Sequence, residues 1–399
     1  MAMSPLYITG FSAASALGRG VSATYGALLR EESGLRPCDF ENAKLDTYIG
    51  RVAGLESEPL GDRFGQYDCR NNRLAKLALQ QDGFEDTVIQ ARERYGARRI
   101  GVFIGTSTSG ILETELAYRN RDPETEALPC TFHYGQTGNM FSGASFVQGF
   151  LQLQGPVLAI STACSSSAKV FAVAYRFIRA GFCDAAVVGG VDSLCLNTLY
   201  GFSSLELVSS QPCRPADRER DGLSIGEAAG FVLLEPTYDG KGPGPVALLG
   251  YGESSDAHHM SSPHPEGLGA RLAMERALSC AGLRASDIDY VNLHGTATPA
   301  NDWTEDRAIY DVFGASVPCS STKGWTGHTL GAAGITEAVI SVLCIKYGFI
   351  PRSLNTRELD SAFKSQIVLD NQKRPIRCVI SNSFGFGGTN CSIVLGTTE

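Results

Sequence analysis

Short apolar runs alternate with amphipathic stretches along most of this chain. Runs of aliphatic and β-branched residues that are bounded by Gly, Pro or polar clusters predict buried strands. These runs lie at residues 6–9, 100–104, 157–161, 185–189, 230–235, 246–251, 290–293, 379–382 and 391–395. Stretches of helical character lie at residues 166–180, 267–281, 303–313 and 331–346. Strands that alternate with helices predict an α/β fold with buried, largely parallel strands.

One segment, residues 236–245, has the composition of a linker. Its sequence is PTYDGKGPGP, and it separates two apolar strands. A cluster of Gly and Pro between strands predicts a loop or a boundary. We therefore predict two units, 1–240 and 241–399. Each unit contains a strand, a Gly-rich loop and a helix next to a candidate catalytic side chain.

The overall composition excludes several classes of function. The chain has 399 residues, 43% hydrophobic and 19% charged, and a formal net charge of -8. An acidic chain has no globally basic surface, so we predict neither a nucleic-acid nor a membrane partner. The apolar runs are short or broken, which predicts no membrane span. The N-terminus has no Lys or Arg before its apolar stretch, unlike a signal peptide, so we expect a cytoplasmic protein.

Twelve cysteines are scattered along the chain, with no CxxC pair among them. This spacing does not support a zinc site or a thioredoxin-like redox motif. Scattered thiols favour a reducing compartment and cysteines that pack as small core residues.

Cys164 differs from the other cysteines in its local pattern. It lies between the predicted strand 157–161 and the predicted helix 166–180, among small residues. Strand-to-helix turns are where α/β proteins expose a nucleophile. A helix N-terminus favours a thiolate, and its free N–H groups can supply half of an oxyanion hole. The local pattern alone leaves a buried structural cysteine as the alternative.

Two of the six histidines lie in motifs that are dense in small residues. His294 begins HGTATP at the end of a strand, and His328 lies in KGWTGHTLGAAG before a helix. Glycine lets a ligand approach the backbone, and threonine hydroxyls can hydrogen-bond an amide-rich substrate arm. The chain ends with NSFGFGG, which predicts either a plain turn between strands or a gate over a pocket with free N–H groups.

Four motifs therefore stand in order: TAC at Cys164, HGTATP at His294, the loop from Lys323 to His328, and the terminal NSFGFGG. Together they resemble the β-ketoacyl–acyl carrier protein synthases of the elongating type, over essentially the whole chain. The resemblance implies the thiolase fold, in which two similar α/β halves form five layers, αβαβα. It also implies an acyltransferase that condenses an acyl thioester with a malonyl unit as CO2 leaves.

The resemblance implies a role for each matching residue. Cys164 would attack an acyl thioester on the phosphopantetheine of an acyl carrier protein and hold the acyl group covalently. His294 and His328 would bind the malonyl thioester carbonyl and stabilise the enolate that decarboxylation leaves. The other implied site residues are Lys323 and Glu305, which would organise the histidines; Phe386, whose amide would complete the oxyanion hole with that of Cys164; Phe384 and Phe386 of the gate; Thr296 and Thr298, which would hold the pantetheine arm; and Thr108, in the acyl pocket.

The family also implies partners. Its members act on acyl carrier protein, pack as dimers through strands near the nucleophile, and need no intrinsic cofactor. Candidate docking charges for the carrier are Arg70, Arg73 and Lys76, for which a solvated helix face is the alternative. We expect no catalytic metal. A structural cation sometimes bound in the family would match Asn292, Glu337, Ser381 and Asn382.

Some features differ from housekeeping fatty acid synthases. The segment after Phe202 is short, residues 122–131 are acidic, and Trp325 is bulky for its position. These departures make the chain similar to ketosynthases of bacterial aryl-polyene clusters, so that either fatty acid or polyene biosynthesis is open.

Four alternatives compete with this interpretation. A CoA-dependent thiolase would need a second catalytic cysteine, and Cys391 lacks the CxG context. An initiating synthase would have Asn where this chain has a second His. A non-catalytic chain-length partner typically loses the nucleophile. The fourth alternative, the catalytic member of a heterodimer with such a partner, remains open beside a homodimer.

Overall fold

The computed structural model describes residues 2–238 and 245–398. The predicted boundary between 1–240 and 241–399 lies outside the described residues, as does most of the segment 236–245. That boundary therefore stays a prediction.

The described residues form seventeen strands and eleven α-helices. The strands are β1 Leu6–Ser15, β2 Gly18–Arg19, β3 Leu35–Pro37, β4 Tyr48–Gly50, β5 Ile100–Gly105, β6 Val157–Ile160, β7 Ala185–Asp192, β8 Ile225–Gly226, β9 Ala228–Glu235, β10 Val246–Ser255, β11 Tyr290–Asn292, β12 Pro318–Ser320, β13 Phe349–Ile350, β14 Gln366–Ile367, β15 Gln372–Lys373, β16 Cys378–Gly385 and β17 Thr389–Thr397. The helices are α1 Val21–Arg30, α2 Arg70–Leu79, α3 Phe84–Tyr95, α4 Ile111–Arg119, α5 Ser142–Phe150, α6 Ser166–Arg179, α7 Leu196–Ser204, α8 Leu268–Ala281, α9 Pro299–Phe313, α10 Lys323–Thr326 and α11 Ala333–Tyr347.

The main sheet consists of two half-sheets with the same strand order. The first has the order β1-β9-β7-β5-β6, and the second β10-β17-β16-β11-β12. In each half the first two pairings are antiparallel and the last two are parallel. β14 extends the second half, and β1 joins β10 at only two residue pairs. The chain thus repeats one α/β unit, although its sequence shows no obvious identity between the halves.

The prediction of largely parallel strands is wrong, because each half-sheet is mixed. β17 follows β16 through a tight Gly-rich turn, and a turn that short joins only antiparallel strands. In chain order, β1 begins the first half and β10 begins the second. Each pairs antiparallel with the strand that comes last along the chain in its own half, β9 and β17 respectively. The apolar pattern identified the strands, but it carries no information about their direction.

Helices α6 and α11 pack against each other between the two half-sheets. Helices α2, α3 and α5 cover the outer face of the first half-sheet, and α8, with α9 packed on it, covers the second. The resulting five layers are the predicted αβαβα arrangement. The two central helices carry the site, because the N-terminal turn of α6 follows Cys164 and that of α11 follows the loop of His328.

Helix α11 is apolar on all sides because it is enclosed by protein. Every residue from Ala333 to Ile345 is buried. In the described residues, the segment Leu330–Tyr347 alone is long and apolar enough to cross a membrane, yet 89% of it lies inside the structure. A helix that is hydrophobic all round and enclosed in this way is a core helix.

The contact between the central helices depends on Gly334. A Cβ at this position would lie 2.5 Å from the backbone N of Ala168 and 2.8 Å from its Cβ. We expect Gly334→Ala to lower the free energy of unfolding by about 1–3 kcal/mol, since overpacking forces backbone shifts. Chemical denaturation of the purified protein measures this change.

Gly201→Ala is the matched control. Gly201 lies within α7, and a Cβ at this position would have no heavy atom within 4 Å. An alanine in an exposed helix interior is more stable than a glycine by about 0.5–1 kcal/mol. Equal destabilisation by both substitutions would contradict the packing argument.

Candidate active site

The turn that carries Cys164 is fixed by local hydrogen bonds. The hydroxyl of Ser166 accepts from the amide of Thr162 at 2.9 Å and donates to the carbonyl of Ala163 at 2.6 Å. Ala163 has φ of 50°, in the left-handed region that non-glycine residues rarely adopt. Such strain persists only where the surroundings hold it, and it is common at functional sites.

The sulfur of Cys164 lies 3.0 Å from Nε2 of His328. Burial raises the pKa of the Cys164 thiol to about 11, although Lys323 and the backbone N–H groups of Phe386 and Cys164 lower it. Burial therefore opposes the thiolate that a helix end favours. The two N–H groups that stabilise negative charge on the sulfur are those of the implied oxyanion hole.

Both histidines are neutral imidazoles. Burial, together with the nearby Lys323, lowers the pKa of His294 and of His328 well below its usual value. The two rings are perpendicular, with centroids 5.3 Å apart. Nδ1 of His294 lies 3.4 Å from the ammonium of Lys323. Because an ammonium only donates, Nδ1 of His294 is the acceptor and its Nε2 carries the proton.

Lys323 and Glu305 contact His294 in different ways. The ammonium of Lys323 pairs with the carboxylate of Glu337 and donates to the carbonyl of His294. Glu305 instead accepts from the amides of His294 at 2.8 Å and Gly295 at 2.7 Å. Burial raises the pKa of Glu305 and of Glu337 to about 7. Lys323 and Glu305 thus both contact His294, while the carboxylate that pairs with Lys323 belongs to Glu337.

Glu337 was not predicted as a partner of Lys323. It is a single acidic residue in the otherwise apolar helix α11. A buried charge requires a partner, so an isolated Glu in an apolar helix was the signal in the sequence.

A cleft opens to solvent over these groups. Its walls contain Cys164, both histidines and both phenylalanines of the predicted gate, and also Thr296 and Thr298, whose hydroxyls lie 2.8 Å apart. The structure therefore brings these predicted site residues around one cavity.

The segment from Phe384 to Gly388 forms one wall of the cleft, and the backbone N–H of Phe386 lies within hydrogen-bonding reach of the sulfur. Gly387 and Gly388 have φ of 78° and 73°, which favours glycine at both positions. The amide of Gly387 donates to the carbonyl of Met260 at 2.7 Å. The ring of Phe386 packs against that of Phe202 at 5.5 Å. These contacts set the position of the Phe386 amide.

Thr108 does not lie at this cleft. Its side chain is fully buried, and its hydroxyl donates to Asp192 at 2.9 Å. The prediction that Thr108 lines an acyl pocket stays a prediction, with its hydroxyl engaged by a buried carboxylate.

The predicted docking charges are mostly engaged within the protein. Arg70 is buried, and its guanidinium bonds both oxygens of Glu227 at 2.6 and 2.8 Å. Arg73 bonds both oxygens of Asp68 at 2.6 and 2.8 Å. Lys76 lies at the surface, with Nζ 3.4 Å from the carbonyl of Pro59. Arg70 is therefore withdrawn as a docking charge, because its charge is neutralised in the interior.

The positions implied for a structural cation form a buried polar group. Asn292 pairs with Ser381 across β11 and β16. Both side chains and one carboxylate oxygen of Glu337 lack a hydrogen-bond partner in the described residues. Unpaired oxygens of this kind fit a small cation.

Sγ of Cys164 and a ring nitrogen of each histidine lie within 4.8 Å of one another. The expectation of no catalytic metal stays a prediction.

Cys391 lies away from this chemistry. It is fully buried within β17 and does not line the cleft. The arrangement therefore gives no support to a second catalytic cysteine, which a thiolase would need.

Comparison with known proteins agrees with this geometry. Residues 3–240 match the family model described as "Beta-ketoacyl synthase, N-terminal domain", and residues 246–357 match "Beta-ketoacyl synthase, C-terminal domain". The chain is 35% identical to the mitochondrial 3-oxoacyl-[acyl-carrier-protein] synthase of Arabidopsis thaliana, over 98% of this chain and 92% of that protein. It is 33% identical to 3-oxoacyl-[acyl-carrier-protein] synthase 2 of Vibrio cholerae, over 97% of both.

Solved structures give the same result. The chain is 38% identical to one chain of the solved complex of a ketosynthase (ApeO) with its chain length factor (ApeC) from Xenorhabdus doucetiae, with a TM-score of 0.89 and coverage of 99% and 98% of the two chains. The fold and the site thus define a condensing enzyme of the thiolase fold. The chain belongs to the β-ketoacyl synthase family.

The assignment of Arg70 to the interior is testable. We expect Arg70→Gln to lower the free energy of unfolding by about 3–5 kcal/mol, because it leaves the buried carboxylate of Glu227 unpaired. Lys76→Gln, on the same helix, should change stability by less than about 0.5 kcal/mol. Denaturant unfolding of both variants measures the contrast, and similar stabilities for the two would contradict the assignment.

Proposed function

We propose that this chain catalyses decarboxylative condensation of an acyl thioester with malonyl-acyl carrier protein, giving 3-oxoacyl-acyl carrier protein through an acyl-Cys164 intermediate. One observation carries the proposal: the thiol of Cys164, its contact with His328, and the amide of Phe386 face a single cleft with His294. The similarity to 3-oxoacyl-[acyl-carrier-protein] synthases supports the same reaction.

The first half-reaction is acyl transfer to the sulfur. The thiol of Cys164 loses its proton as the sulfur attacks the acyl carbonyl, and the neutral His328 at 3.0 Å is placed to accept that proton. The amides of Cys164 and Phe386 stabilise the oxyanion of the tetrahedral intermediate. The C–S bond to the carrier then breaks, and the departing pantetheine thiolate takes up the proton. Two easier steps thereby replace one difficult condensation.

The second half-reaction needs a carbanion without a strong base. Loss of CO2 leaves its electron pair on the malonyl-derived unit as an enolate, whose oxygen is stabilised by N–H donors. His294 carries its proton on Nε2, the nitrogen opposite the one facing Lys323. The enolate carbon attacks the acyl-Cys164 carbonyl, the new C–C bond forms, and the thiolate of Cys164 leaves. Thr296 and Thr298, on the cleft wall, are placed to hydrogen-bond the pantetheine amides.

The acyl carrier protein is the partner that brings the phosphopantetheine, and the chain needs no cofactor of its own. We place the protein in the cytoplasm and its halves at 1–240 and 241–399. The pathway is either fatty acid synthesis, which the similarity to 3-oxoacyl-[acyl-carrier-protein] synthases supports, or polyene biosynthesis, which rests on the sequence features at residues 122–131 and Trp325.

A second subunit fits beside β6. This strand is the last in its half-sheet, and its outer edge is unpaired in the described part of the chain. Leu158 on this strand is 37% exposed. An apolar edge strand next to the nucleophile favours pairing with another subunit. We propose that this subunit is a chain-length-factor-like protein, as in the ApeO complex with its chain length factor, and that a homodimer is the alternative.

The assignment of the nucleophile predicts the outcome of one substitution. Cys164→Ala removes the sulfur, so incubation with acyl-carrier-protein donors should give no mass increase, whereas the unchanged protein gains one acyl group. Intact-protein mass spectrometry with saturated, unsaturated and aryl acyl donors measures this and also identifies the preferred acyl class.

His294→Ala provides the matched comparison. It leaves the sulfur and His328 in place, so the variant should still be acylated, while condensation with malonyl-acyl carrier protein falls by about 10²–10³-fold because one enolate donor is lost. An acylated, condensing Cys164→Ala protein would overturn the proposed function.

The choice of second subunit is decided by co-expression. The chain expressed alone should elute in gel filtration without a self-dimer and condense poorly, whereas co-expression with a chain-length-factor-like protein should give a one-to-one complex and restore condensation. A stable and fully active homodimer would overturn the heterodimer proposal.

A further inference from the structure

Asp192 ends strand β7 and is fully buried, and the proposed mechanism gives it no role. Its carboxylate accepts hydrogen bonds from two separate segments of the chain. The donors are the hydroxyl of Thr106 at 2.6 Å, the amide of Ser107 at 2.8 Å and its hydroxyl at 2.5 Å, the amide and hydroxyl of Thr108 at 2.9 Å each, and the amide of Gly331 at 2.6 Å. Charge-assisted bonds of this kind are roughly twice as strong as neutral ones.

These donors come from the two halves of the fold. Residues 106–108 follow β5 in the first half, whereas Gly331 lies three residues after His328 in the second half. The hydroxyl of Ser107 also accepts from the amide of Gly331 at 3.2 Å. One carboxylate thus joins the loop after β5 to the loop that carries His328.

The geometry at Gly331 leaves little freedom. A Cβ there would lie 2.7 Å from Oδ2 of Asp192 and 2.7 Å from the amide nitrogen of Ser107. The preceding residue, Leu330, has φ of 55°, a strained value for leucine. A strained backbone persists only where its surroundings hold it, and the carboxylate of Asp192 is the charged group that does so here.

We propose that Asp192 is a positioning residue for the condensation: it holds the loop of His328 in the register that keeps the imidazole against the sulfur of Cys164. The expected effect on condensation rests on the proposed function, whereas the effect on the position of the loop of His328 does not. The opposite end of this loop is held by a separate contact, in which the amide of His328 donates to the carbonyl of Ser224 at 2.7 Å. We call the hydrogen bonds that join Asp192 to residues 106–108 and Gly331 the Asp192 clamp. Loss of this clamp would therefore displace the part of the loop that follows His328.

Asp192 also acts on the sulfur through its charge. Its negative charge raises the pKa of Cys164, while Lys323 lowers it. The other titratable groups that face the sulfur are His328 and His294, and burial keeps both neutral. Removing the charge of Asp192 should therefore lower the pKa of the Cys164 thiol and at the same time shift the position of His328, the base proposed for it.

Asp192→Asn tests the proposal, because asparagine is nearly isosteric but neutral. We expect the pH profile of Cys164 alkylation by iodoacetamide to move to lower pH, with a rate near neutral pH at least about twofold higher. We expect kcat for condensation to fall about tenfold or more, with KM for the malonyl carrier protein little changed. The reason is that a shift of a catalytic group such as the His328 imidazole by about 1 Å can lower the rate by this factor or more. Peptide mass spectrometry separates Cys164 from the other eleven cysteines.

Asp217→Asn is the matched control. Asp217 is also buried and holds two loops, accepting from the amides of Arg357 at 2.7 Å and Glu358 at 3.1 Å, but it does not line the cleft. This variant should lose stability without moving the alkylation profile or kcat by more than about twofold. Equal kinetics and equal alkylation profiles for the two variants would overturn the role of Asp192.

Two further variants keep the test decisive if Asp192→Asn fails to fold. Asp192→Glu restores the charge and should return the alkylation profile to that of the unchanged protein. Ser107→Ala keeps the charge of Asp192 but removes the hydroxyl that bonds both Asp192 and the amide of Gly331. It should lower kcat severalfold with little change in the alkylation profile. If Ser107→Ala leaves kcat unchanged, the clamp does not position His328. Failure of the unchanged protein to condense would instead count against the proposed function, and the alkylation result would stand apart from it.

Discussion

The chemistry of this site depends on one buried cation. The ammonium of Lys323 is enclosed with the carboxylate of Glu337 and the carbonyl and ring of His294. A charge without such partners would be too costly to bury. In this position it fixes the tautomer of His294, adds to the burial that lowers the pKa of both imidazoles, and offsets part of the burial that raises the pKa of Cys164. Neutral imidazoles are the form in which an N–H can be offered to an enolate and a lone pair to a thiol.

The duplicated fold explains how these groups meet. The first half supplies the sulfur at the start of α6, and the second supplies the histidines, Lys323 and the Phe386 amide. The two central helices pack so closely that a Cβ on Gly334 would collide with Ala168. This packing brings the start of α6, next to Cys164, close to the start of α11, which follows the loop of His328. Clamps such as Asp192 and Glu305 then set the backbone on each side.

Sequence patterns predicted much of this arrangement, and the misses have physical causes. The strands and helices were found because burial imposes an apolar period, but their direction depends on connections that the period does not encode. The motifs predicted the groups around the cleft, since each motif places Gly or Thr beside a reactive side chain. Arg70 was misassigned because its partner Glu227 is distant along the chain. The partnership of Lys323 with Glu337, and the thiol form of Cys164, depend on burial in three dimensions.

A buried thiol suits an enzyme that must load one substrate before it activates another. A permanent thiolate in this cleft would be open to oxidation and to other electrophiles. With its pKa raised to about 11, Cys164 becomes nucleophilic mainly when its proton can move to His328 and the two amides can accept the oxyanion. In the proposed mechanism the acylated sulfur carries no charge, and both neutral histidines are then free to act on the malonyl unit. The same dry environment thus restrains the first step until an acyl group is bound and strengthens the hydrogen bonds that stabilise the enolate in the second.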